Sequence, residues 1–239
     1  MPATDKILWV VQYSDLDTFL DRASNVGATG VAIRTDNDVA RAIPAAHAKG
    51  MKVYGWRWPL SQRDAAMHEA DRAAALFASG VDGYFVDPEG APGKPYDWDR
   101  PGLAGLADDF CSRITGEAAD KPFGTTSHYR AAAVFPNLPW ATFFKYSTVL
   151  LPQAYWRSTE GVIGHGIPAD NYDVALQFWS QAGGERAKIK PMGGELGVTK
   201  PGEIAAYAAE AARQNVSVLH FYCYDDSVPA EVWGAVAAA

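Results

Sequence analysis

Short apolar runs alternate with amphipathic helical stretches from one end of this 239-residue chain to the other, and that alternation limits the possible folds more than any other feature. A strand buried on both faces reads as a continuous apolar run. Ile7, Leu8, Trp9, Val10 and Val11 form the first such run, and residues 15–28 then carry Leu16, Phe19, Leu20 and Ala23 at helical spacing. The same signals predict strands over 30–33, 52–58, 81–87, 123–127, 148–155, 189–192 and 217–224. They predict helices over 38–49, 62–79, 103–114, 173–182, 202–214 and 229–237, with Gly50 and Gly80 just past two helix ends. A fifth helix is ill defined within the aromatic stretch 128–147, and the connection before residue 103 is long and rich in glycine and proline.

Parallel strands must be joined by crossovers, and eight strand-helix units of about 30 residues each satisfy a closed barrel. The expectation is a single (β/α)8 barrel over residues 1–239. An open doubly wound sheet would carry a glycine-rich phosphate loop after its first strand, where Gln12, Tyr13, Ser14 and Asp15 stand instead.

Composition excludes several classes of partner. Apolar residues at 48% and charged residues at 21% suit a soluble chain with a large core. A formal net charge of -7 without a basic cluster argues against nucleic acid and acidic membrane surfaces. No run approaches the about 20 apolar residues needed to span a bilayer, and no export leader is visible at the amino terminus. A soluble protein, cytoplasmic as written unless exported by another route, is the expectation. Cys111 and Cys223 fall in a helix and a strand and read as buried thiols rather than a disulfide or metal site. His47, His68, His165 and His220 offer no pair at metal-ligand spacing, so neither a metal nor a cofactor is expected.

The chemistry is expected at residues 82–90, where an apolar strand breaks into a glycine- and proline-rich loop. Alternation along a strand sets Asp87 and Glu89 on one face with Phe85, while Tyr84 and Val86 point the other way. Two neighbouring carboxylates resist double ionisation, so one is held protonated and can serve as an acid. The plain alternative is an ion pair with Arg34 or Arg57. Barrel sites form at the carboxyl ends of strands. Beside the pair, that rule gathers Arg34, Trp56, Arg57, Trp58, His128, Gln153, Tyr155, Trp156, Glu195, Tyr224 and Asp225 as candidate substrate contacts. Aromatic platforms beside carboxylates and amides suit sugar rings, which have apolar faces edged with hydroxyls. Helix capping is the plainer role for Asp225 and Asp226, and an ordinary hydrogen-bonded side chain for His128.

Asp82, Gly83, Asp87 and Glu89 match the DGxDxDxE signature on the fourth strand of chitinase-type (family 18) glycoside hydrolases, and Gln153-Ala154-Tyr155-Trp156 resembles that family's sixth-strand tyrosine motif. The resemblance implies a barrel that cleaves β-linked N-acetylhexosamine polymers. In that family's scheme Glu89 would be the acid/base, Asp87 would orient the substrate's acetamido group as nucleophile, and Tyr155 would steady the cationic intermediate. Phe85 stands where the signature has its middle aspartate. The chain also resembles lysozyme-type (family 25) muramidases, which carry Asp-x-Glu at the same strand end and cut peptidoglycan. Two other readings stay open: a retaining glycosidase with Glu195 as nucleophile, the carboxyls then about 5 to 5.5 Å apart, and a barrel that binds a glycan without cleaving it. An aldolase-like barrel would need an interior lysine, and only Lys190 lies on a predicted strand.

Overall fold

The computed structural model describes residues 5–116 and 118–239. In chain order the first half runs β1 (Asp5–Val10), α1 (Leu16–Asn25), β2 (Gly30–Arg34), α2 (Val39–Ala48), β3 (Lys52–Arg57), α3 (Arg63–Ala78), β4 (Gly83–Val86) and α4 (Ala104–Gly116). The second half runs β5 (Phe123–His128), α5 (Trp140–Tyr146), β6 (Val149–Gln153), β7 (Arg157–Ser158), β8 (Gly161–Val162), α6 (Pro168–Gln181), β9 (Gly193–Gly194), α7 (Pro201–Arg213), β10 (Val218–Tyr224) and α8 (Ala230–Ala238). Among the described residues, eight strands form one parallel sheet in the order β6-β5-β4-β3-β2-β1-β10-β9. Parallel bridges from Leu150 to Ile189 and from Gln153 to Met192 join its two ends. The chain is an α/β barrel of the (β/α)8 type, and β7 and β8 add an antiparallel hairpin outside it.

Strand alternation divides the core into two layers. Leu8, Val10, Val31, Ile33, Val53, Tyr84, Val86 and Leu150 pack outward against the helices. Ile7, Trp9, Ala32, Tyr54, Trp56, Phe85, Leu151 and Met192 fill the barrel interior. Phe85 lies between Trp9 and Tyr54, with ring centroids 5.2 Å and 4.9 Å away, and this stack plugs the barrel's centre. Gly124 on β5 makes room for it, since a Cβ there would sit 2.8 Å from the Phe85 ring. Asp15 and Asp38 cap α1 and α2 by accepting from the Thr18 and Arg41 backbone N–H groups at 2.7 Å and 3.1 Å.

Three elements depart from expectation. The seventh barrel strand is short: Ile189 and Met192 make single bridges to β6, and only Gly193–Gly194 pairs with β10. The ill-defined fifth helix is the seven-residue α5, and α6 begins at Pro168 rather than residue 173, with proline in its first turn. The long loop after β4 is pinned, because Trp98 is fully buried and its indole N–H donates to the Pro59 carbonyl at 2.8 Å.

Candidate active site

Asp87 follows the last residue of β4, and its backbone N–H donates to the Arg57 carbonyl at 2.9 Å. The Ser127 hydroxyl donates to the Pro88 carbonyl at 2.7 Å, and the Trp98 N–H to the Glu89 carbonyl at 2.8 Å. The backbone that carries both carboxylates is therefore held from three sides. Their side chains line a cavity of about 470 Å³ at the carboxyl ends of the strands. The Gln153 amide spans the pair, donating to Asp87 Oδ1 at 2.9 Å and to Glu89 Oε1 at 3.3 Å.

Burial raises both carboxyls above the ordinary carboxylate range. The negative charge of Asp87 and the hydrogen bond between the two raise Glu89 further, whereas that bond, the Trp58 indole and Gln153 hold Asp87 back. The two carboxyls titrate as one interacting pair, which retains a proton above the ordinary carboxylate range. Among the described residues no cation relieves this: Arg34 and Arg57 reach Asp36 instead, at 2.7 Å and 3.4 Å.

Other sequence-selected residues share the cavity: Trp56, Trp58, Gln153, Tyr155 and Glu195. Burial, followed by the Tyr222, Asp87, Cys223 and Glu195 groups, raises the Tyr155 phenol well above its ordinary value. It stacks on Tyr222 at 5.2 Å between centroids. Burial also raises Glu195. Gly193 and Gly194 before it form β9. A Cβ on Gly194 would run into the Tyr222 carbonyl, so close approach of backbones explains that glycine.

Six candidates lie outside the cavity. Arg34 and Arg57 stand beside it with Asp36. His128 stacks on Tyr129, accepts the Arg130 N–H at Nδ1, and is pushed down to about 4 by burial and Arg130. Trp156 is fully buried on the outer layer, with its indole N–H on Glu203 at 3.1 Å, because alternation turns it away from Tyr155. Tyr224 also faces outward, against Phe19 at 5.0 Å. The pairings Leu8 with Phe221 and Val10 with Tyr224 give β10 one extra residue, and this bulge reverses its facing. Asp225 accepts from the Ser227 N–H at 2.8 Å, a local turn role.

The cavity includes residues that sequence reading missed: Trp9, Gly90, Ala91, Tyr96, Thr126, Met192 and Tyr222. Trp9 and Tyr222 both follow ordinary alternation, with Ile7 along β1 and with His220 along β10, and the bulge changes only the facing of Tyr224 beyond them. Among the described residues, no three or more His, Cys, Asp or Glu side chains group as a metal site, and no helix is long and apolar enough to cross a membrane.

No known protein family matches the chain, and no curated protein sequence does. Solved structures match its fold. The chitinase domain of the spore coat protein CotE from Clostridium difficile has a TM-score of 0.53 at 12% identity, over 80% of this chain and 64% of that one. An α-galactosidase from Thermus thermophilus in complex with stachyose has a TM-score of 0.61 at 13% identity, over 99% of this chain and 64% of that one. A mutant family 18 chitinase from Cycas revoluta in complex with (GlcNAc)4 has a TM-score of 0.64 at 10% identity, over 98% and 99%. The chain shares its fold with barrel glycoside hydrolases. It spans less than two thirds of the first two proteins, so whatever their remaining segments contribute has no counterpart in this alignment.

Proposed function

We propose that the protein is a glycoside hydrolase acting on N-acetylhexosamine-containing glycans, with Glu89 as acid/base and Asp87 as its helper. The observation that carries this reading is the buried, proton-sharing pair with no cation beside it, spanned by the Gln153 amide at the floor of an aromatic cavity. A carboxyl kept protonated near neutrality is what protonation of a leaving oxygen requires.

In the first step Glu89 gives its proton to the glycosidic oxygen as the bond from that oxygen to C1 breaks, and the substrate's acetamido oxygen bonds to C1. Asp87 accepts from the acetamido N–H, and Tyr155, kept protonated by burial, steadies the positive charge. In the second step the Glu89 carboxylate takes a proton from water, whose oxygen bonds to C1 and releases the acetamido oxygen. Glu89 ends protonated, and the net reaction is hydrolysis. Phe85 cannot share a proton with Asp87 as the signature's middle aspartate would, and the Gln153 amide donates to Asp87 at 2.9 Å.

Glu195 lines the same cavity and supports a second reading, attack on C1 by its carboxylate. We rank this below the first, because Asp87 and Tyr155 both line the cavity and both serve an acetamido group. Product analysis after incubation with chitin oligomers, peptidoglycan and neutral polysaccharides tests the substrate class. Glu89→Gln is expected to lose about 10²-fold or more of any turnover, and wild-type rates in that variant would refute the assignment. Loss of turnover in Glu195→Ala with recovery in azide would favour the second reading. Glycan binding without any product would instead favour a non-catalytic barrel.

A further inference from the structure

Beside the cavity, the ends of β2 and β3 bring two guanidinium groups to one carboxylate. Arg34 Nε donates to Asp36 Oδ1 at 2.7 Å, and Arg57 Nη1 lies 3.4 Å from Asp36 Oδ2. Two positive charges against one negative leave the group at +1 on a chain whose formal net charge is -7. The guanidinium carbon of Arg34 sits 5.7 Å from the ring centroid of Trp58, a cavity-lining side chain that is 42% exposed. Its charge is felt inside as well, for Arg34 lowers the pKa of the Tyr222 phenol against the burial that raises it. The Arg34 side chain is only 16% exposed, yet Asp36 and the Trp58 face are its side-chain partners, and among the described residues its two terminal nitrogens bond no acceptor. A fork of two N–H groups held in place beside an aromatic platform matches a planar carboxylate. The cavity floor offers the opposite chemistry: Asp87, Glu89 and Glu195 line it, and no lysine or arginine does among the described residues. A negative group is repelled there and attracted toward the two guanidinium groups beside Trp58.

We infer that Arg34 and Arg57, over Trp58, form a subsite for a carboxylate-bearing sugar adjacent to the neutral hexosamine that occupies the cavity. The inference rests on the glycan-cleaving reading of the cavity and deepens it to a substrate class: a polymer in which a neutral N-acetylhexosamine neighbours an acidic residue. The carboxylate can belong to the ring itself, as in a uronate, or to a lactyl ether on it.

Binding to the Glu89→Gln protein, followed by calorimetry, tests this without turnover. Three tetrasaccharides serve as probes: N-acetylglucosamine alone, N-acetylglucosamine alternating with glucuronate, and N-acetylglucosamine alternating with its 3-O-lactyl ether. One or both acidic probes are expected to bind about tenfold tighter than the neutral one, with a preference that shrinks as salt rises. The acidic probe that shows the preference identifies the source of the carboxylate. Arg34→Gln/Arg57→Gln, introduced beside Glu89→Gln, should collapse the acidic-to-neutral ratio toward one. Lys replacements, which keep the charge but lose the fork, should restore part of it. A ratio that starts at one, or that survives the double substitution in a protein of unchanged melting temperature, would overturn the subsite while leaving the cavity's assignment intact. Failure of all three probes to bind would overturn both.

Discussion

Asp87 and Glu89 owe their chemistry to where they are buried rather than to their identity. Each carboxyl has a folded-state pKa raised above its unfolded value, so the native state binds more protons than the unfolded chain across the interval between them. Stability from these groups is therefore undiminished below the unfolded pKa and falls as pH rises from there through the raised values. Glu89→Gln keeps a donor toward Asp87 but removes the ionisation, so its melting temperature should exceed the wild type's at pH 8 and match it at pH 4. Thermal denaturation at the two values checks this, and a variant less stable at pH 8 would contradict it. Turnover should fall on the alkaline side as Glu89 loses its proton. Gln153→Ala removes the donor to both oxygens. The expected result is an alkaline shift of that limb, because the lost hydrogen bonds favoured the ionised forms, and a pH-rate profile reads it.

Glu203 works at the level of elements. Its carboxylate accepts from Arg157 Nη2 at 2.7 Å at the foot of the β7-β8 hairpin, from the Trp156 indole at 3.1 Å beyond β6, and from the Lys200 N–H at 2.9 Å at the start of α7. The hairpin borders the site, since the Glu195 N–H donates to the Arg157 carbonyl at 3.4 Å. Glu203→Ala should lower the melting temperature by several degrees, as it leaves a buried indole N–H and a guanidinium unpaired. A second loss, in affinity for any glycan reaching Glu195, would separate it from a purely structural change. The strands were legible because two-sided burial writes each one as an apolar run, and the pair at 87 and 89 because proline and glycine end its strand. The rest depended on facing. Trp156 follows Tyr155 at a strand end and looks equally suited to the mouth, yet alternation buries it. Tyr224 looks like Tyr222 until an extra residue in β10 reverses its side. Trp9 hides in a run that reads as ordinary core.

Across the whole molecule, the Trp9, Phe85 and Tyr54 stack separates the cavity at the carboxyl ends from a smaller one lined by Lys52, His220 and Pro122. Phe85→Asp would restore the middle acid of the chitinase-type signature, but it would bury a carboxylate among aromatic rings. The expected cost is about 3 kcal/mol or more, with no gain in turnover, and denaturant titration measures it. The barrel is also unevenly sewn. β1 pairs with β10 over much of its length, whereas the seventh position holds to β6 through two single bridges and to β10 through Gly193 and Gly194. Backbone amides there, such as those of Lys190 and Met192, should exchange with deuterium before those of Ile33 or Val10, since local opening follows the thinnest bonding. Glu195 and Tyr222 stand on either side of the Gly194–Tyr222 pairing, so the thinnest stitching in the wall lies among the side chains that line the cavity.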